Sequence, residues 1–142
     1  MTTDYLIDTH AHLDFSELYY RIEEVLENAK KNNVKRIISI STNLNKIDKI
    51  IDLSDKNEEI FFTVGIHPNE VLKDENNSNY DLIKNISKKV KCVGIGECGL
   101  DYHYGKDSVK GQKLSFITQI NVARDTGLPL IIHSRDADED MI

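Results

Sequence analysis

Two kinds of hydrophobic pattern alternate along the chain. Short continuous apolar runs are typical of strands buried on both faces, and longer stretches with apolar residues every three to four positions are typical of amphipathic helices. The runs predict five strands, at about residues 5–8, 36–41, 60–66, 90–97 and 128–133. The periodic stretches predict four helices, at about residues 17–31, 44–54, 80–88 and 109–126. This alternation predicts βαβ units and a parallel sheet, an α/β fold.

The boundaries of these elements have local signals. Ser16 is a suitable N-cap for the first helix, and Gly127 is a suitable stop for the last one. The last helix has Leu114, Ile117, Ile120 and Ala123 among its apolar positions. The polar stretch 69–79 is predicted to be a loop.

Length and charge narrow the class of protein. A chain of 142 residues fits one domain, residues 1–142. Its formal net charge of −6 disfavours non-specific nucleic-acid binding, although metal ions and a few basic groups could still hold a phosphodiester locally. No apolar run approaches the roughly 18 residues of a membrane span, and the N-terminus is too polar for a signal peptide. We therefore expect a cytoplasmic protein that has no membrane partner.

The first candidate site lies where the first predicted strand ends. Alternation along a strand would place Asp8, His10 and His12 on one side. Two neighbouring imidazoles can coordinate a divalent metal. An isolated pair at this spacing is, however, more often a surface feature.

Three further strand ends strengthen the metal interpretation. Parallel α/β folds place their functional groups at the C-terminal edge of the sheet, and His67, Glu97 and His133 each end a predicted strand. Burying the Glu97 carboxylate would be costly without a cation, and its two oxygens could bridge two metals. A Lys or Arg partner for Glu97 and a core role for His133 are the alternatives.

Substrate contacts are less sharply indicated. His67 precedes Pro68, which suits a turn histidine and a substrate-side residue about equally well. Arg135 either pairs with Asp136 at the surface or contacts a phosphate through its planar guanidinium. Asp101 fits a loop cap as readily as a site residue.

Four motifs, taken together and in order, resemble the TatD family of metal-dependent deoxyribonucleases: DTHAHLD (8–14), GIHP (65–68), GECGLDY (96–102) and PLIIHSRDA (129–137). The resemblance implies a (β/α)8 TIM barrel of the metal-dependent hydrolase type, with its metal site at the strand C-termini. It implies that His10 and His12 hold one metal, that Glu97 bridges two metals and the activated water, and that His133 belongs to the second metal. The implied cofactors are two divalent ions (Mg, Mn, Zn or Co), and the implied substrate is DNA.

The number of predicted strands departs from the family pattern. A complete (β/α)8 barrel has about 250 residues, so five strands imply an incomplete barrel equivalent to the N-terminal part of the family's fold. Open sheet edges would favour a homo-oligomer or pairing with another chain. We expect the 142-residue chain alone to bind metal weakly and to show little or no turnover. The alternatives are an amidohydrolase-like enzyme for a small amide or ester, and an inactive chain that pairs with another.

Overall fold

Five parallel strands form one sheet in the order β1-β2-β3-β4-β5, which curls into an open half-barrel. This arrangement comes from a computed structural model that describes residues 4–73, 79–105 and 107–142. The strands are β1 (Leu6–Ala11), β2 (Val34–Ser39), β3 (Ile60–Val64), β4 (Cys92–Asp101) and β5 (Leu130–Arg135). The helices are α1 (Ser16–Tyr19), α2 (Ile22–Lys31), α3 (Ile47–Lys56), α4 (Tyr80–Ser87), α5 (Val109–Thr126) and α6 (Asp138–Met141). The predicted α/β order and the parallel sheet are therefore confirmed.

Two apolar clusters lie between the sheet and the helices. The larger joins β3 and β4 to α3, α4 and α5, and Phe62, Val64 and Ile95 are among its members. The smaller joins β1 and β2 to α1, α2 and α3, around Ile37 and Leu53. Apolar residues on both strand and helix meet in these clusters, as the sequence periodicity requires.

The prediction of one continuous helix over residues 17–31 is wrong. The structure has a short α1, a break at Tyr20 and Arg21, and then α2. Phe15, not Ser16, is the N-cap of α1, and the N–H of Arg21 donates to the carbonyl of Leu18 at the break that follows α1. Apolar side chains of both helices pack against the smaller cluster, so the helical spacing continues across the break.

Strand β4 runs to Asp101, four residues beyond its predicted end at Glu97. It stays paired with β5 as far as Arg135. Gly99, with φ of 138°, allows this extension, because a Cβ there would lie 2.0 Å from the carbonyl oxygen of His133. The low strand propensity of glycine hides this extension in the sequence.

The remaining boundaries differ less. Strands β2 and β3 each end two residues before their predicted ends, and helix 44–54 begins as a 3-10 turn at Leu44–Lys46 before α3. The predicted loop 69–79 begins inside a 3-10 turn at Pro68–Glu70, and its residues 74–78 lie outside the described part of the chain. Within the described ranges, no helix combines the length and apolar character needed to cross a membrane.

Helix α5 has its predicted bounds, but it packs with a different face. Leu114 and Ile117 are 54% and 55% exposed, whereas Gln112 and Gln119 are buried. Exposed apolar side chains also lie on the two edge strands, at Leu6 of β1 and Ile132 of β5. Of the predicted apolar positions of α5, Ala123 is buried in the larger cluster, whereas Leu114, Ile117 and Ile120 are exposed.

Candidate metal centre

An open cavity of about 430 Å³ lies at the C-terminal rim of the strands. It is lined by His10, His12, Phe15, Thr42, His67, Asn69, Glu70, Glu97 and His133. All four predicted site histidines and the predicted glutamate thus meet in one place, although they come from four separate parts of the chain.

The first donor group consists of His10, His12 and Glu97. The Nε2 atoms of His10 and His12 lie 3.4 and 3.9 Å from Oε2 of Glu97. Nδ1 of His12 is 3.0 Å from the carbonyl oxygen of Ile40, so it must carry the proton and leave the Nε2 lone pair free. The ring of Phe15 stacks against His12 at 5.0 Å and supports its orientation.

The second group consists of His67, Glu97 and His133. Nδ1 of His133 lies 3.2 Å from Oε1 of Glu97 and 3.2 Å from Nε2 of His67. Nδ1 of His67 accepts a hydrogen bond of 3.1 Å from the backbone N–H of Asn69. Burial, and then the nearby His133, lower the pKa of His67, which favours the neutral imidazole at physiological pH.

Glu97 is the member that both groups share. Its side chain is only 10% exposed, and its ion-pair partners within the described ranges are all imidazoles. One oxygen faces His10 and His12, and the other faces His133, so no Lys or Arg pairing accounts for the buried carboxylate. Imidazole nitrogens with a shared carboxylate form a donor set that suits Zn, Mn, Co or Mg, and each group has its ligand atoms within 4.8 Å of one another. The residues present therefore fit a divalent metal.

An irregularity in β4 positions Glu97. Its pairing with β5 shifts between Gly96 and Cys98, so Glu97 has no partner in β5. The Gly96–Glu97 peptide bond is cis. The N–H of Glu97 donates to the carbonyl of Ser41 at 2.9 Å, and the Thr63 hydroxyl donates to the carbonyl of Gly96 at 2.6 Å. These bonds hold the unpaired residue at the rim.

The sequence predicts that Asp8, His10 and His12 lie on one side of the first strand, and this prediction is wrong for Asp8. The pairing of β1 with β2 slips by one residue between Asp8 and Ala11, which reverses the alternation. Asp8 consequently lies beside Ala11 against the helices, while both histidines line the rim cavity. Asp8 still accepts a hydrogen bond from the backbone N–H of His10 at 3.0 Å.

Two residues of α5 that hydrogen-bond the backbone beside the site were not identified from the sequence. The amide of Gln119 pairs with the N–H and the carbonyl of Ile66 at 3.0 and 3.1 Å, directly before His67. Gln112 pairs in the same way with the backbone of Asp101, with both bonds at 2.8 Å. The spacing of two glutamines seven residues apart, on one side of a helix, was the available signal.

Asp101 itself lies next to the second donor group. Burial raises its pKa, but hydrogen bonds from the N–H of His103, from Asn69 and from His133 outweigh it, so the pKa lies below its ordinary value. The carboxylate therefore stays charged at neutral pH.

Arg135 lies outside the residues that line the rim cavity. Its guanidinium sits 5.5 Å from the ring centre of Tyr104. Asp136, the surface partner considered from the sequence, lies instead 3.0 Å from Nδ1 of His103. A phosphate contact by Arg135 stays a prediction.

A family match, related protein sequences and solved structures all connect this chain with the same family. The family described as TatD related DNase matches residues 7–142. The uncharacterized metal-dependent hydrolase YabD of Bacillus subtilis is 38% identical over 137 residues, which cover 96% of this chain and 53% of that protein. The chain spans about half the length of the curated relatives it matches.

Two solved structures share the fold. The crystal structure of YJJV, a TatD homologue from Escherichia coli K12, has a TM-score of 0.86 at 27% identity and covers 96% of this chain and 53% of its own. A TatD family hydrolase from Entamoeba histolytica has a TM-score of 0.79 at 27% identity, covering 97% and 52%.

Proposed function

The chain belongs to the TatD related DNase family, and from this premise we propose that it carries the metal-binding rim of a divalent-metal-dependent hydrolase that cleaves phosphodiester bonds in DNA. The observation that carries the proposal is Glu97, whose two oxygens face two separate sets of imidazole nitrogens. A carboxylate shared in this way suits two ions held at a short separation, as two-metal hydrolysis requires.

Each residue of the rim has a distinct role in this proposal. His10 and His12 would hold one ion together with Glu97, and Glu97 with His133 would hold the second. When bound, the ions lower the pKa of a water molecule and neutralise the phosphate oxygens. His67, whose Nδ1 already accepts from Asn69, would carry its proton on Nε2, which points to Nδ1 of His133. Once an ion takes that lone pair of His133, this N–H would be free to donate a hydrogen bond to a phosphate oxygen.

Hydrolysis of a small amide or ester is the second candidate. The net charge of −6 favours a small substrate over a polyanion, because an acidic surface repels DNA away from the metal site. The same rim could polarise a carbonyl as readily as a phosphate. The two candidates differ in the substrate and not in the residues that hold the metal.

A single-turnover assay separates these functions. We incubate the chain in excess over a short labelled DNA duplex with Mn²⁺, and in parallel with a panel of amides and lactones. Excess protein is needed because we expect little turnover from the chain alone. We expect at most slow cleavage of the DNA, stopped by EDTA, and no amide hydrolysis. Amide or lactone hydrolysis without DNA cleavage would replace the first proposal by the second, and hydrolysis of neither would contradict a catalytic role for the chain by itself.

We further propose that two copies of the chain associate through the open sides of the half-barrel. Leu6 is 61% exposed on one edge strand, Ile132 is 53% exposed on the other, and Ile117 of α5 is 55% exposed. Unpaired strand edges and exposed apolar side chains favour association.

Light scattering tests this association. We expect a mass above that of the 16.2 kDa chain, falling toward it on dilution. Ile132→Lys should weaken association, because a charge would then have to be buried at the edge. Val90→Lys, at an exposed site that precedes β4, is the control and should leave the mass unchanged. A single species of 16.2 kDa at about 100 μM protein would contradict the proposal.

A further inference from the structure

Asp101 is an almost fully buried carboxylate that touches the site without lining its cavity. It is 2% exposed, at the end of β4. Its Oδ2 lies 3.0 Å from Nε2 of His133 and accepts a hydrogen bond of 2.9 Å from the side-chain amide of Asn69. Its Oδ1 accepts the backbone N–H of His103 at 3.0 Å. The side-chain amide of Gln112 accepts from the N–H of Asp101 and donates to its carbonyl.

These contacts assign the protons of two histidines. An ionised carboxylate only accepts hydrogen bonds, so the nitrogen of His133 that faces Asp101 carries the proton. On the other side, the backbone N–H of Asn69 donates to Nδ1 of His67, so that Nε2 of His67 carries the proton and points to Nδ1 of His133. Oε1 of Glu97 also lies 3.2 Å from Nδ1 of His133 and could accept a proton there, but the N–H of His67 points to this same Nδ1. Asp101 and His67 together therefore favour His133 protonated on Nε2 and with a lone pair on Nδ1, against the single contact with Glu97.

We propose that Asp101 is a positioning residue that fixes the tautomer and the ring orientation of His133, so that its Nδ1 lone pair faces Glu97. The inference rests on the proposed function, because a bound ion would use this lone pair. Asp101 itself contacts neither the ion nor the substrate. A carboxylate behind a metal-binding imidazole commonly orients the ring and raises its basicity.

Asparagine at this position separates the hydrogen-bonding role from a packing role. Asp101→Asn keeps the size of the side chain but replaces one acceptor oxygen by an amide that donates. Since His103 and Asn69 both donate toward this side chain, its remaining oxygen cannot serve every donor. His133 would then accept at Nε2 and carry its proton on Nδ1, where it would block the metal position.

Nitrogen-15 NMR of histidine-labelled, metal-free protein reads this tautomer directly. The chain has 5 histidines, and a His133→Gln variant identifies the signals of His133. We expect the Nε2–H form in the wild type and the Nδ1–H form in Asp101→Asn. Zn²⁺ affinity, measured by calorimetry, should fall by about 10- to 100-fold, as for other residues that orient a ligand.

Asp136→Asn is the matched control, because Asp136 also contacts a histidine, His103, but lies outside the cavity. It should leave the signals of His133 and the Zn²⁺ affinity unchanged. An Nδ1–H form of His133 in the wild type would overturn the proposal, even if Asp101→Asn does not fold. An unchanged tautomer or an unchanged Zn²⁺ affinity in a folded Asp101→Asn would also overturn it. A wild type with the expected tautomer but without Zn²⁺ binding would contradict the proposed function and not the positioning of His133.

Discussion

Replacing Glu97 with glutamine is expected to lower the affinity for a divalent metal by about 100-fold or more and to remove DNA cleavage. The amide keeps the size of the side chain, but it loses the charge that faces His10, His12 and His133 at 3.2 to 3.9 Å. Because both donor groups contain this carboxylate, one substitution weakens both of them. The fold should tolerate the change, since a neutral amide is less costly to bury than a carboxylate.

Mn²⁺ titration followed by electron paramagnetic resonance measures the affinity, and a thermal melt of the metal-free protein reports its stability. Glu58→Gln is the control, because Glu58 is exposed just before β3 begins, at the opposite end of the strands from the rim. It removes the same charge from the chain and should leave the affinity unchanged. Equal Mn²⁺ affinities of Glu97→Gln and wild type would show that the metal, if bound, lies elsewhere.

The apolar pattern predicts the order of elements well because the strands of a parallel sheet are buried on both faces and each helix has one buried stripe. It fails where other factors decide. The break before α2 leaves the apolar spacing intact, so the sequence gives no sign of it. The end of β4 contains Gly96, Glu97 and Gly99, which are poor strand formers, and the close approach to β5 explains the two glycines.

The site is predictable to the extent that it follows from the ends of strands. Parallel strands carry their functional residues at one edge, so four apolar runs that end in His or Glu are sufficient to bring His12, His67, Glu97 and His133 together. The contact of His133 with Asp101 requires the extended β4, which the sequence hides. The reversal of Asp8 likewise depends on a shift in strand pairing.

Helix α5 shows a further limit of the pattern. Its large apolar residues Leu114 and Ile117 are exposed, whereas its buried face combines Val122 and Ala123 with polar side chains that pair with the backbone. Gln119 is fully buried, and β3 has already ended before Ile66. The amide of Gln119 therefore makes the two hydrogen bonds to the backbone of Ile66 that a neighbouring strand would make inside a sheet. Polarity alone cannot distinguish such a buried amide from a surface one, because the distinction depends on whether a backbone segment lies opposite.

Gln119→Leu is therefore expected to lower the free energy of unfolding by about 2–5 kcal/mol, although leucine has a similar volume. The substitution leaves the N–H and the carbonyl of Ile66 without their side-chain partners inside the protein, and it also removes the donor to the Ser115 hydroxyl. Urea unfolding followed by circular dichroism measures the loss. Lys110→Leu, at an exposed position of the same helix, should change stability by less than about 0.5 kcal/mol.

A second variant tests whether the pairing itself causes this loss. Gln119→Glu keeps an acceptor for the N–H of Ile66 but removes the donor to its carbonyl, so it should be destabilised as well, increasingly so as the carboxyl ionises. A loss below about 1 kcal/mol for Gln119→Leu would show that other groups satisfy the backbone of Ile66. If the loss is as large as expected, the rim depends on this amide, because Ile66 connects it directly to His67.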